Sequence, residues 1–132
     1  MKAILLDTNA YARFLAGEEK VLDELARAGA VNMSVFVIGE LLEGFRAGSK
    51  DKLNRQILER FLARPSVHVL DATRETAEYF ALIKTALRRA GQPIPLNDVW
   101  IAAQALETGS VVVTYDAHFA LVPGLRTWDG LP

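Results

Sequence analysis

The sequence predicts an α/β fold, a three-layer α/β/α sandwich around a central parallel sheet, and three observations carry that expectation. Two short runs, residues 3–6 and 111–114, are apolar but for the closing Thr114, as strands buried on both faces of a parallel sheet are. Between them the apolar residues recur at helical rather than alternating spacing. Glycines at 17, 29, 48, 91 and 109 separate these segments, so strand and helix patterns alternate along the chain.

Taken in order, Ala3–Leu6 is the first strand. Thr8–Leu15 and residues 18–27 read as helices, the second with Val21, Leu22, Leu25 and Ala26 on one face. Residues 32–34 form a weak second strand. Ser34 then caps a helix running from Val35 to about Ala47. Residues 50–63 carry a stripe of Leu53, Ile57, Leu58, Phe61 and Leu62, and Val67–Leu70 reads as a third strand. A long helix over 73–90 is ended by Gly91. Pro93 and Pro95 keep the next segment extended until a helix opens near Asn97 and closes at Gly109. After the apolar strand at 111–114, residues 125–128 read as a short edge strand.

A chain of 132 residues has the length of one ordinary domain, so a single domain over 1–132 is expected. Its 51% hydrophobic content supplies a core without any staple. There is no cysteine, which excludes disulfides, thiolate catalysis and cysteine-based metal centres. Asp7 cuts the N-terminal apolar run far short of a signal peptide, and nothing later approaches the roughly 18 apolar residues of a membrane span. No membrane association and a cytoplasmic location are expected. A net charge of -1 excludes a wholly basic nucleic-acid binder and leaves room for local basic patches. Lys50, Lys52, Arg55, Arg60 and Arg64 on one helix, Lys84 and Arg88 on another, and Arg13 are the candidates for phosphate contacts.

The acidic residues take their meaning from the fold class, because open parallel sheets bind ligands beyond the carboxyl ends of their strands. Asp7 directly follows the first strand, and Asp116 stands two residues beyond Thr114. Glu40 lies in the very apolar segment 34–44, and Asp98 heads an almost wholly apolar helix. Buried carboxylates cost several kcal/mol unless paired or metal-bound, which points to a shared hard cation, Mg²⁺ or Mn²⁺. Such an ion suits phosphodiester hydrolysis. Each acid also has a plainer reading: Asp7 is placed to cap the helix opening at Thr8, and Asp98 suits the positive end of its helix. Glu43 reads as solvated, His68 and His118 as packing or surface residues, and Trp100 and Phe119 as core.

Four segments carry a family resemblance over nearly the whole chain: Ile4, Leu5, Leu6, Asp7, Thr8 and Asn9; Gly39, Glu40 and Leu41 with Gly44; Pro95, Leu96, Asn97 and Asp98 with Ile101, Ala102 and Ala103; and Val113, Thr114, Tyr115, Asp116, Ala117, His118 and Phe119. Each is weak alone; their order and spacing resemble PIN-domain ribonucleases, and within them the VapC toxins of bacterial and archaeal toxin–antitoxin pairs. The resemblance implies a Mg²⁺-dependent endoribonuclease, with Mn²⁺ able to substitute. It implies that Asp7 and Asp98 are the principal metal ligands and Asp116 a further one, direct or through water. Glu40 then holds a metal-bound water or serves as base. Thr8, Asn9 and Thr114 would orient the carboxylates. It also implies a VapB-type antitoxin and a toxin homodimer as partners. Phe14, Leu15, Phe36, Leu42 and Phe45 give the early helices apolar surface for such docking or for the core.

Other classes fit less well. An aspartyl-nucleophile phosphatase wants a second acid where this chain has Asn9. A phosphotransfer receiver wants paired acids after the first strand and a lysine after the strand at 111, and both are missing. A PIN fold reduced to a noncatalytic docking module would not need all four acids.

Overall fold

The run Ala3–Leu6 forms β1 in the interior of the sheet, its last three residues fully buried, in a computed structural model that describes residues 2–130. The other strands are β2 (Ala30–Ser34), β3 (Val67–Leu70) and β4 (Val111–Val113), all parallel in the order β3-β2-β1-β4. Parallel neighbours cannot be joined by a tight hairpin, so each connection is helical. β1 leads through α1 (Thr8–Leu15) and α2 (Glu19–Arg27) to β2, β2 through α3 (Val35–Ala47) and α4 (Asp51–Leu62) to β3, and β3 through α5 (Arg74–Arg89) and α6 (Leu96–Thr108) to β4. The six helices flank the sheet in the α/β/α arrangement. In register, Ile4 lies between Val31 and Val111, and Leu6 lies beside Val113. The chain therefore leaves β1 and β4, neighbours at the centre and edge of the sheet, at the same end.

Local chemistry fixes the helix ends that matter. The Ser34 hydroxyl accepts the Phe36 N–H at 3.0 Å and starts α3, which carries Glu40. Ser34 is fully buried, so Ser34→Ala is expected to lower stability by about 1 kcal/mol in urea unfolding; an unchanged midpoint would show that the cap contributes nothing. Thr73 and Thr76 form a capping box at the start of α5, and the Thr76 hydroxyl donates to Glu107 of α6 at 2.7 Å. Gly109 closes α6 with φ +65°, a left-handed conformation that glycine adopts without strain. Trp100 of α6 is stacked between Phe36 of α3 and Phe80 of α5, with ring centroids 5.3 and 4.0 Å away, and Phe119 is fully buried. Phe119 is thus a core residue, whereas Trp100, expected in the core, is only partly buried and packs in an aromatic stack between helices.

Two expectations need correction. β2 begins at Ala30 rather than at residue 32, because pairing with Ala3 extends it backwards. Residues 125–128 do not form a strand; they contribute one bridge, Val112 with Thr127. The turn at Pro123 and Gly124, where φ is +77°, leaves too short a run for a ladder. Trp128 is buried instead and donates its indole N–H to the Thr114 carbonyl. No helix among the described residues is long and apolar enough to cross a membrane.

Candidate active site

The two strands that share an end deliver the first two acids. The Asp7 main-chain N–H donates to the Val113 carbonyl at 3.0 Å, one more rung of the β1–β4 pairing. Its side chain then turns onto α1: Oδ1 accepts the Thr8 N–H at 2.8 Å, and Oδ2 accepts the Thr114 hydroxyl at 2.7 Å. Asp7 is thus a helix cap, as its plainer reading held. It is also only 5% exposed, which a cap does not require. Burial pushes its carboxyl up to about 6, against the pull of both hydrogen bonds, and the charges of Asp98 and Glu40 push the same way.

Thr114 couples the two strand ends. While donating to Asp7, its hydroxyl accepts the Asp116 N–H at 2.9 Å. Asn9 on α1 accepts the Tyr115 N–H at 3.1 Å and pins the turn after β4. Asp116, half-buried, opens a short 3-10 turn at Ala117–Leu121 by accepting the His118 N–H at 2.9 Å. From α3, half-buried Glu40 accepts the Thr8 hydroxyl at 2.7 Å. Thr8, Asn9 and Thr114 therefore each hold an acid or the turn that carries one.

Asp98 sits in the first turn of α6, 8% exposed. Burial raises its carboxyl, the hydrogen bond from His118 opposes that rise, and Asp116 and Glu40 add to it. All four acids thus lie in one electrostatic field. Among the described residues no lysine or arginine pairs with any of them. The nitrogen base against them is His118, whose Nδ1 lies 2.9 Å from Asp116 Oδ1 and 3.2 Å from Asp98 Oδ2. His118, expected from the sequence to be a packing or surface residue, thus stands at the acids; its only signal in the sequence is its place two residues beyond Asp116. Glu43 and His68 are exposed, and among the described residues neither is hydrogen-bonded or ion-paired to these acids, although Glu43 lines the same cleft as Glu40.

The donor set fits a divalent cation. Carboxylates that are buried, raised by burial and by one another, and unmatched by any described lysine or arginine gain most from a compact positive charge. Ligand atoms of Asp98, Asp116 and His118 all lie within 4.8 Å of one another. The basic candidates are more dispersed. Arg55 pairs with Asp51 at 2.9 Å, and Arg64 lies over the rings of Phe14 and Phe61. Arg13 lies 4.3 Å over the Tyr115 ring, next to the Asp116 turn.

The sequence profile of the PIN domain family matches residues 4–125, from the strand before Asp7 to beyond the Asp116 turn. The chain belongs to the PIN domain family. This PIN domain is 31% identical to Ribonuclease VapC2 of Haemophilus influenzae over 132 aligned residues, covering 96% of this chain and 97% of that protein. It is 28% identical to Ribonuclease VapC5 of Mycobacterium tuberculosis over 120 residues, covering 91% and 87%. Among solved structures, VapBC2 of Rickettsia felis bound to a DNA fragment from its promoter superposes with a TM-score of 0.83 at 25% identity, covering 96% of this chain and 99% of that one. DNA-bound VapBC from Salmonella typhimurium gives 0.82 at 27% identity, covering 97% and 98%.

Proposed function

We propose that this PIN domain is a divalent-cation-dependent endoribonuclease, the toxin of a toxin–antitoxin pair, hydrolysing RNA phosphodiester bonds at Asp7, Glu40, Asp98 and Asp116. The observation that carries the reading is Asp7: a nearly buried carboxylate, pushed up to about 6, facing two further acids. A carboxylate is kept under such repulsion where a cation relieves it. Relatives spanning almost the whole chain are named ribonucleases, which supports RNA as the substrate.

The cation is Mg²⁺, with Mn²⁺ able to substitute, held by Asp7 and Asp98 with Asp116. When bound it supplies charge for an in-line displacement at phosphorus and acidifies a water. Glu40, with Oε1 fixed by Thr8, uses its other oxygen to orient the attacking water and accept its proton. Thr114 holds the Asp7 carboxylate in one rotamer and the Asp116 backbone in register with it. Arg13 places a positive charge at the rim for a substrate phosphate.

A VapB-type antitoxin is the partner, supported by the relatives solved as VapBC assemblies. The groove between α1 and α4, floored by Phe14, Leu15, Ile57 and Phe61, offers an antitoxin segment apolar seats, with Arg60 and Arg64 on its rim. A toxin homodimer and a cytoplasmic location complete the reading.

The test uses purified protein freed of antitoxin, incubated with structured and unstructured RNAs. Cleavage is expected in Mg²⁺ or Mn²⁺ and should stop in EDTA. Folded protein that binds Mn²⁺ in calorimetry and cuts none of these RNAs overturns the reaction; cleavage that persists in EDTA overturns the cation.

A further inference from the structure

We propose that His118 is a cation ligand, so that the site is a mixed oxygen and nitrogen centre and not a purely carboxylate one. The inference rests on the cation-dependent reading above and deepens it. Its basis is the direction of the imidazole: Nδ1 points between two acids from different elements, 2.9 Å from Asp116 Oδ1 and 3.2 Å from Asp98 Oδ2. Donors on adjacent corners of an octahedron around an ion at about 2.1 Å stand about 3 Å apart, so both separations suit ligands of one ion.

The local fold holds the ring there. Asp116 Oδ1 accepts the backbone N–H of His118, closing a tight turn that folds the side chain back over the carboxylate two residues before it. Phe119, the next residue, is fully buried and anchors that turn in the core. The His118 side chain is 47% exposed. With an ion in place of the Nδ1 proton that otherwise bridges to the carboxylates, Nε2 can therefore carry the proton on the open side of the ring while Nδ1 offers its lone pair inward. Asp98, on the other flank, is nearly buried and rigidly carried by α6.

The chemical consequence is selectivity. Mg²⁺ keeps to oxygen ligands and gains little from an imidazole, whereas first-row transition ions accept nitrogen, increasingly so from Mn²⁺ to Co²⁺ and Ni²⁺. His118 should therefore widen the gap in affinity between Co²⁺ and Mg²⁺.

The experiment compares the full chain with His118→Ala and His118→Gln by calorimetry with Co²⁺ and Mg²⁺, and by pulsed paramagnetic resonance of bound Mn²⁺. Glutamine keeps a donor for the two carboxylates but has no imidazole nitrogen. In the wild type, bound Mn²⁺ should show coupling to a histidine ¹⁴N, and both variants should lose it. Both variants should also lose at least about tenfold in Co²⁺ affinity, while Mg²⁺ affinity changes by less than about threefold.

Bound Mn²⁺ without nitrogen coupling, or Co²⁺ affinity unchanged in both variants, overturns the proposal. An equal loss for Co²⁺ and Mg²⁺ that glutamine restores also overturns it, making His118 a positioning residue. No RNA is cleaved in these measurements, so ligation by His118 stands or falls separately from the nuclease activity. Failure of the wild type to bind any of the three ions overturns both.

Discussion

Asp7→Asn is expected to lower RNA cleavage by at least about 10²–10³-fold and, in the absence of divalent cations, to make the protein more stable. The activity falls because a neutral amide binds a cation far less well than a carboxylate. The gain in stability follows from the direction of the Asp7 shift. Its carboxyl stands at about 6 in the fold against an ordinary 3.8, so the folded protein favours the neutral acid. The stability associated with this group is complete below about pH 4 and is lost as pH rises through 6. At pH 7 the charged carboxylate costs up to about 3 kcal/mol. Asparagine removes that charge and can still cap Thr8. Its amide, however, faces a Thr114 hydroxyl already engaged with the Asp116 N–H, so the net gain should be about 1–2 kcal/mol.

Urea unfolding in EDTA at pH 5 and pH 7 reads both parts. The wild type should lose more stability than the variant between the two values, and Asp98, raised in the same direction, leaves a remainder in both. A variant less stable than wild type at pH 7 would refute the burial argument, and one that cleaves within tenfold of wild type would refute the catalytic one.

Thr114→Val should have the second largest effect. It removes the donor to Asp7 and the acceptor for the Asp116 N–H at a fully buried position. Cation affinity and cleavage should fall by about 10–100-fold and stability by about 1–3 kcal/mol. Thr114→Ser, which retains the hydroxyl, should restore most of both. Because the Thr114 hydrogen bond pulls the Asp7 carboxyl down, its loss should also move the acid limb of the cleavage profile to higher pH. Mn²⁺ calorimetry at neutral pH checks the first effect; equal binding by the valine variant would show that the hydroxyl does not hold the site.

What could be read from the chain was what short-range chemistry decides. Ser34 as a cap, Gly109 as a stop and the apolar runs of β1 and β4 each act within a few residues, and all lie where the pattern put them. Asp7, Glu40, Asp98 and Asp116 were legible because each acid interrupts or heads an apolar segment, and the structure brings the four together. The remainder depends on contacts between distant segments. The true start of β2 is set by its pairing with Ala3, and residues 125–128 are shaped by Trp128 reaching the Thr114 carbonyl. His118 gains its meaning only when a five-residue turn folds it against Asp98 on another element, which no periodicity records.

The bond between Thr114 and Asp7 joins residues 107 positions apart. At ordinary rates of synthesis, about 5–20 s separate the making of one from the other. Over that interval a nascent chain holds Asp7, and from its first third onward Glu40, but neither a complete β4 nor the turn that follows it. Chains terminated before residue 114 therefore lack both the hydroxyl that holds Asp7 and the Asp116 carboxylate. The acidic cluster is thus assembled late in synthesis, which leaves those seconds for a partner already in the cell to meet the chain first.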